Sequence, residues 1–164
     1  MLAGMEKSNE FHEKREACIR NKYNADEIGQ RVLNGDGGSW IKEPYDPETI
    51  FQLDSFHVYK EIKRQIRDKQ AQEEIRRLYD EEKPEEMLEY IEIYATSVES
   101  PDEKDKRSKN ARELYKYLSN NREGLLPYNK QGKTIPEPQE GIIYKGMGVQ
   151  ESQNCTVITK KKKN

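Results

Sequence analysis

The residues that could do chemistry are a few carboxylates set in unusual contexts. Asp36 lies in Asn34-Gly35-Asp36-Gly37-Gly38, the densest glycine cluster in the chain, just after a candidate strand. Glycines on both sides let the backbone turn sharply and leave the acid exposed at the strand's end. The same residue types are also the usual signal of a hairpin turn. Asp54 stands at a strand-to-helix junction, with His57 three residues on. At that spacing the two side chains could share a metal ion or bond to each other on the first helical turn. Equally, Asp54 or Ser55 could simply cap the helix. Glu151 follows Gly146-x-Gly148 and opens a segment that could be helical. A carboxylate there suits either a catalytic site or the positive end of a helix dipole. Acids that converge from separate elements are what two-metal phosphoryl transfer needs. Mg²⁺ takes hard oxygen ligands, and two such ions about 3.5–4 Å apart activate the attacking oxygen and stabilise the leaving one.

Other chemistries are excluded. Cys18 and Cys155 are isolated, so neither a disulfide framework nor a cysteine-based zinc site can be built. Gly132-Lys133-Thr134 resembles the end of a phosphate loop, but Pro127 occupies the position of the required upstream glycine. His12 is alone in a polar helix. No apolar run approaches the roughly 18–20 residues of a membrane helix. The N-terminus lacks the basic and apolar stretches of a signal peptide, so a cytoplasmic protein with no membrane partner is expected.

The elements that must position these acids follow from pattern. Residues 6–22 read as a polar helix with a modest face at Phe11, Arg15, Cys18, Ile19 and Lys22. Residues 26–32 read ambiguously, as a short helix running into a strand at Arg31-Val32-Leu33. Thr49 to Leu53 is a β-branched and aromatic run, hence a strand. One long helix is expected over 55–78, with Tyr59, Ile62, Ile66, Ala71, Ile75 and Leu78 on its apolar side and a balanced, solvated charged face. Pro84 suits the first turn of the next helix, striped by Met87, Leu88, Ile91, Tyr94, Ala95 and Val98. Residues 80–103 hold ten acidic groups and one Lys, so this helix should not touch DNA. A third helix is expected over 103–121, with Ala111, Leu114, Tyr115 and Leu118 inward and a basic cluster at Lys104, Lys106, Arg107, Lys109 and Arg112. Residues 127–141 read as an extended loop, and Ile142-Ile143-Tyr144 as a short strand.

Composition sets the scale. The chain has 164 residues and 37% of them are charged, against about 25% in an average domain. Leu, Ile, Val and Phe supply only 30 of the 164. The net charge is −2 and ten Tyr add apolar body. A folded but thinly cored protein, or a piece of something larger, is expected.

Four segments in order carry a family resemblance. Gly35-Asp36-Gly37-Gly38-Ser39-Trp40-Ile41-Lys42 and Leu53-Asp54-Ser55-Phe56-His57 match two of its motifs. Tyr117-Leu118-x-x-Asn121-x-Glu123-Gly124-Leu125 and Gly146-Met147-Gly148-Val149-Gln150-Glu151-Ser152 match two more. Together they resemble the Lre-type insertion-sequence transposases, DDE enzymes of Gram-positive bacteria long grouped as an uncharacterised protein family. The match runs through most of residues 8–160. It implies an α/β fold, a partial RNase H-like core with a mostly helical insertion. Residues 1–57 would hold the core with the second catalytic acid, 58–126 the insertion, and 127–164 the loop and final segment with the third acid. It implies Asp36 and Glu151 as catalytic and metal-binding acids, with Asp54 and His57 in support. It implies Mg²⁺ or Mn²⁺ as cofactor, transposon-end DNA as partner and metal-dependent DNA cleavage and strand transfer as activity. Lys104, Lys106, Arg107, Lys109 and Arg112 would meet phosphates. Such enzymes need a first Asp on an earlier strand, which residues 1–30 do not offer. The chain is therefore expected to be an internal fragment, inactive alone, with Leu53 or Val32 on an unprotected sheet edge. A partner could be a second copy or the full-length transposase. The competing reading is a non-enzymatic helical interaction protein that regulates the full-length transposase.

Overall fold

A computed structural model describes residues 8–38, 49–102, 105–137 and 140–141. The chain starts with helix α1, Ser8–Lys22, and a 3-10 turn at Ala25–Glu27. α1 shows little of the expected face: Cys18 and Lys22 are exposed, whereas His12 is 2% exposed. Glu16 bonds Arg31 at 2.8 Å and ties α1 to the residue preceding the first strand.

Strands β1, Val32–Gly35, and β2, Ile50–Leu53, pair in parallel, with Val32 opposite Ile50 and Gly35 opposite Leu53. A parallel pair cannot be closed by a tight turn; it needs a crossover of about a dozen residues. The glycine cluster is therefore not a hairpin, despite its Asn-Gly and Asp-Gly pairs.

From β2 the chain passes directly into α2, Ser55–Gln65. Asp54 caps it, one carboxylate oxygen accepting the Phe56 N–H at 2.8 Å, which satisfies a donor the helix leaves open. The single long helix expected here is two helices. Ile66 takes an extended backbone, and Asp68 caps α3, Lys69–Asp80, by accepting from Gln70 N and Ala71 N at 2.9 and 3.3 Å. The apolar period continues through the break, which is why periodicity alone does not reveal it. Tyr59 and Tyr79 meet edge to face, 5.6 Å between centroids, across the joint.

Helix α4, Pro84–Ser97, starts on its proline as expected, and α5, Arg107–Ser119, packs most extensively against it. α5 starts four residues later than the expected 103. Asp105 takes the Arg107 N–H at 3.0 Å at its start. Two 3-10 turns, Arg122–Leu125 and Tyr128–Lys130, follow.

One buried cluster runs from Leu53 through Val58, Ile62, Ile75, Met87, Ile91 and Leu114 to Leu125. It joins strand β2 to the helices. Leu53, expected on a bare edge, is fully buried. The 3-10 turn covers that side of β2 so closely that a Cβ on Gly124 would lie 2.9 Å from Leu53 N. Val32 is half-buried. The fold is thus mixed α/β, mostly helical with a small parallel pair. Among the described residues no helix is long and apolar enough to cross a membrane.

Candidate functional site

The register Gly35 opposite Leu53 means that Asp36 and Asp54 leave adjacent parallel strands side by side. Asp54 N donates to Gly35 O at 2.8 Å and closes the ladder. The two acids then differ. Asp54 is 8% exposed, and its second oxygen accepts from Asn34 Nδ2 at 3.0 Å while the first caps α2. Its carboxylate is committed to holding the strand ends together. Asp36 is exposed; Oδ1 accepts the Gly38 N–H at 3.0 Å in a local turn, which places the carboxylate at the rim of the strand pair.

His57 lies in the first turn of α2, half-buried, its ring edge-on to Phe56 at 5.4 Å. Glu151 and Lys104 lie outside the described residues, as do Trp40 to Lys42 and the expected strand at 142–144. Lys106, Arg107, Lys109 and Arg112 are all exposed around the start of α5. Arg107 is engaged by Asp105 at 2.6 Å, a pairing that holds the Asp105 carboxyl down to about 2, and Arg112 lies 3.6 Å from Glu99. Among the described residues no three His, Cys, Asp or Glu side chains gather as a metal site.

Three residues at the rim carried no role on sequence grounds: Asn34, Tyr117 and Asn121. Tyr117 OH donates to the Asp36 carbonyl at 2.9 Å, across 81 residues of sequence. Burial, then the charges of Glu61, Asp36 and Asp54 and the Tyr79 phenol, push the Tyr117 hydroxyl up to about 12. Asn121 is 4% exposed and donates to Tyr117 O at 2.7 Å. The available signal was the motif Tyr117-Leu118-x-x-Asn121-x-Glu123-Gly124-Leu125, in which Tyr117 and Asn121 stand four apart.

The chain belongs to the uncharacterised protein family UPF0236, whose pattern matches residues 2–158. Two UPF0236 proteins of Caldanaerobacter subterraneus subsp. tengcongensis are each 28% identical to it over 139 residues, 83% of this chain. A third from the same organism is 27% identical over the same length. The chain spans 27–29% of the length of these curated relatives. No solved structure matches it.

Proposed function

We infer that this chain is a portion of an RNase H-like DDE transposase, carrying the second catalytic acid on Asp36. The observation that supports the reading is the parallel register that sets Asp36 at the carboxyl edge of β1 beside β2. In open α/β sheets, ligands collect at the carboxyl ends of parallel strands. The helices that leave β2 at once, with a buried cluster they share with Leu53, fit the helical insertion that the family resemblance calls for before the last acid.

The reaction proposed for the complete enzyme is cleavage and strand transfer of DNA phosphodiesters. A water or a 3′-hydroxyl attacks phosphorus, and the bond to the leaving 3′ oxygen breaks. Divalent ions, Mg²⁺ or Mn²⁺, would supply activation of the attacking oxygen and stabilisation of the leaving one. Asp36 would contribute a ligand from β1 and Glu151 another from the final segment. Asp54 holds the strand ends, and His57 supports that junction from α2. Lys104, Lys106, Lys109 and Arg112 would meet phosphates. Arg107 would first have to exchange Asp105 for DNA.

Two measurements test this. Purified chain with supercoiled DNA and Mn²⁺ is expected to give no nicking; nicking abolished by Asp36→Ala would overturn its inactivity alone. In ¹⁵N spectra, Mn²⁺ is expected to broaden signals at Asp36–Gly38 first, an effect lost in Asp36→Ala. Broadening spread over the acidic face of α4, with none preferred at Asp36, would end the assignment of that acid.

A further inference from the structure

The motif at the end of α5 has a physical role that the proposed chemistry leaves unused. Three of its members, Tyr117, Asn121 and Gly124, each touch a different point of the strand ends. Tyr117 OH holds the Asp36 carbonyl at 2.9 Å. Asn121 donates through Nδ2 to Tyr117 O, which fixes the direction of its amide. Its Oδ1 is buried, has no hydrogen-bond partner among the described residues, and is pressed against Gly37. A Cβ on Gly37 would lie 2.3 Å from that oxygen. Gly37 itself has a φ of +84°, in the region that favours glycine. Gly124 closes on the Phe51 ring and Leu53 N, where a Cβ would lie 2.7 and 2.9 Å away. A short stretch at the end of α5 thus grips the turn after β1 and the outer side of β2 together.

We propose that Tyr117 and Asn121 are positioning residues that set the backbone of the turn carrying Asp36, so that the helical segment governs where this acid sits. The hydroxyl bonds the carbonyl of the acid's own residue, and the asparagine fills the space that only glycine leaves at the next. Neither side chain need touch a substrate. Both act by restricting the backbone torsions that follow the Asp36 Cα, at its own carbonyl and at Gly37. The proposal rests on the reading of Asp36 as a catalytic acid for its importance, but its geometry can be tested without that reading.

The experiment uses the 164-residue chain and ¹⁵N relaxation. Tyr117→Phe removes one hydroxyl and keeps the ring packed. In this variant the heteronuclear NOE at Gly37 and Gly38 is expected to fall while values along α2 to α4 stay unchanged. A turn as ordered as in the parent, or a loosening shared by every helix, would overturn the proposal. Asn121→Ala gives the same expectation by a second route. Mn²⁺ titration adds a readout that packing alone does not move. Binding at Asp36 is expected to weaken about 10-fold in Tyr117→Phe, the lower end of the effect seen for residues that orient a ligand from behind, with an unchanged melting temperature. If the parent chain binds no Mn²⁺ at Asp36, the catalytic reading fails and the relaxation data alone decide the positioning role. If Mn²⁺ binds and Tyr117→Phe changes neither readout, the positioning role fails and the catalytic reading stands.

Discussion

The helices from Ser55 to Ser119 and the strand pair that precedes them are held in different ways. The helices share a cluster in which Ile62, Ile75, Met87, Ile91 and Leu114 are fully buried. Their caps are local, as at Asp54 and Asp68. β1, by contrast, has no fully buried residue; all four are half-buried. β2 is buried, but against the helices and the 3-10 turn rather than against further strands described here. A two-stranded unit is at best marginally stable in water by itself. The helices can therefore be read as the stable body of the described structure, and the strand ends with Asp36 as a rim kept in place by it. An acid on such a rim can be placed accurately without a large sheet, provided side chains from the body reach it.

Breaking the body should have the largest effect. Ile91→Ala or Leu114→Ala is expected to cost about 2–5 kcal/mol in urea denaturation, from lost burial plus the cavity left behind. Because Leu53 belongs to the same cluster, strand and helix signals should be lost in one transition; a strand pair that survives the helices would break the comparison. At the rim, Gly37→Ala is expected to cost about 1–3 kcal/mol, since it combines a left-handed backbone with a clash. Adding Asn121→Ala removes the clashing amide, so the double variant should be less destabilised than the two single costs added together. Strict additivity would show that the two residues do not press on each other. Asp68→Ala, which removes the α3 cap, should cost about 1 kcal/mol and leave the Asp36 turn unchanged by NMR.

A smaller effect is expected with pH. The Tyr117 phenol is pushed up to about 12, chiefly by burial and then by Glu61, Asp36 and Asp54, and the Tyr59 phenol to about the same value by burial and by Asp80. Both groups are more easily kept protonated in the fold than in the unfolded chain, whose phenols titrate near 10. Their contribution is complete below about pH 10 and is lost as pH rises from 10 to 12. Thermal melts in that window should fall, and Tyr117→Phe should flatten the fall. The smallest effect is expected at Arg77, which bridges Glu74 and Glu81 on the exposed face of α3. Arg77→Ala should leave the melt unchanged within error, since such exposed pairs contribute little.

The helices were legible because their signals are local. Pro84 marks the start of α4, and Met87, Leu88, Ile91 and Ala95 recur on one side at helical spacing and are all buried. A cap at Asp54 or Ser55 was legible from residue type and place next to a strand, and the structure gives it to Asp54. The break at Ile66 was not, since Ile62, Ile66 and then Ala71 and Ile75 keep an apolar rhythm that a continuous helix would share. His12 was passed over for a similar reason: nothing in a polar helix marks which residue its surroundings will bury. At the rim, the acid and its glycines stood out, but Asn34, Tyr117 and Asn121 did not, because what defines them is whom they meet.

What the amino-acid order determined unaided is whatever rests on neighbours within a turn or two: helical phase, caps, proline starts, and the glycine at Gly37 that allows a left-handed backbone. What the tertiary structure alone decided is the parallel pairing of β1 with β2, the burial of Leu53, and the meeting of Tyr117 and Asn121 with the Asp36 turn. Strand register and contacts across 81 residues of sequence depend on how the helices pack. That packing is a property of the whole buried cluster and not of any local stretch of sequence.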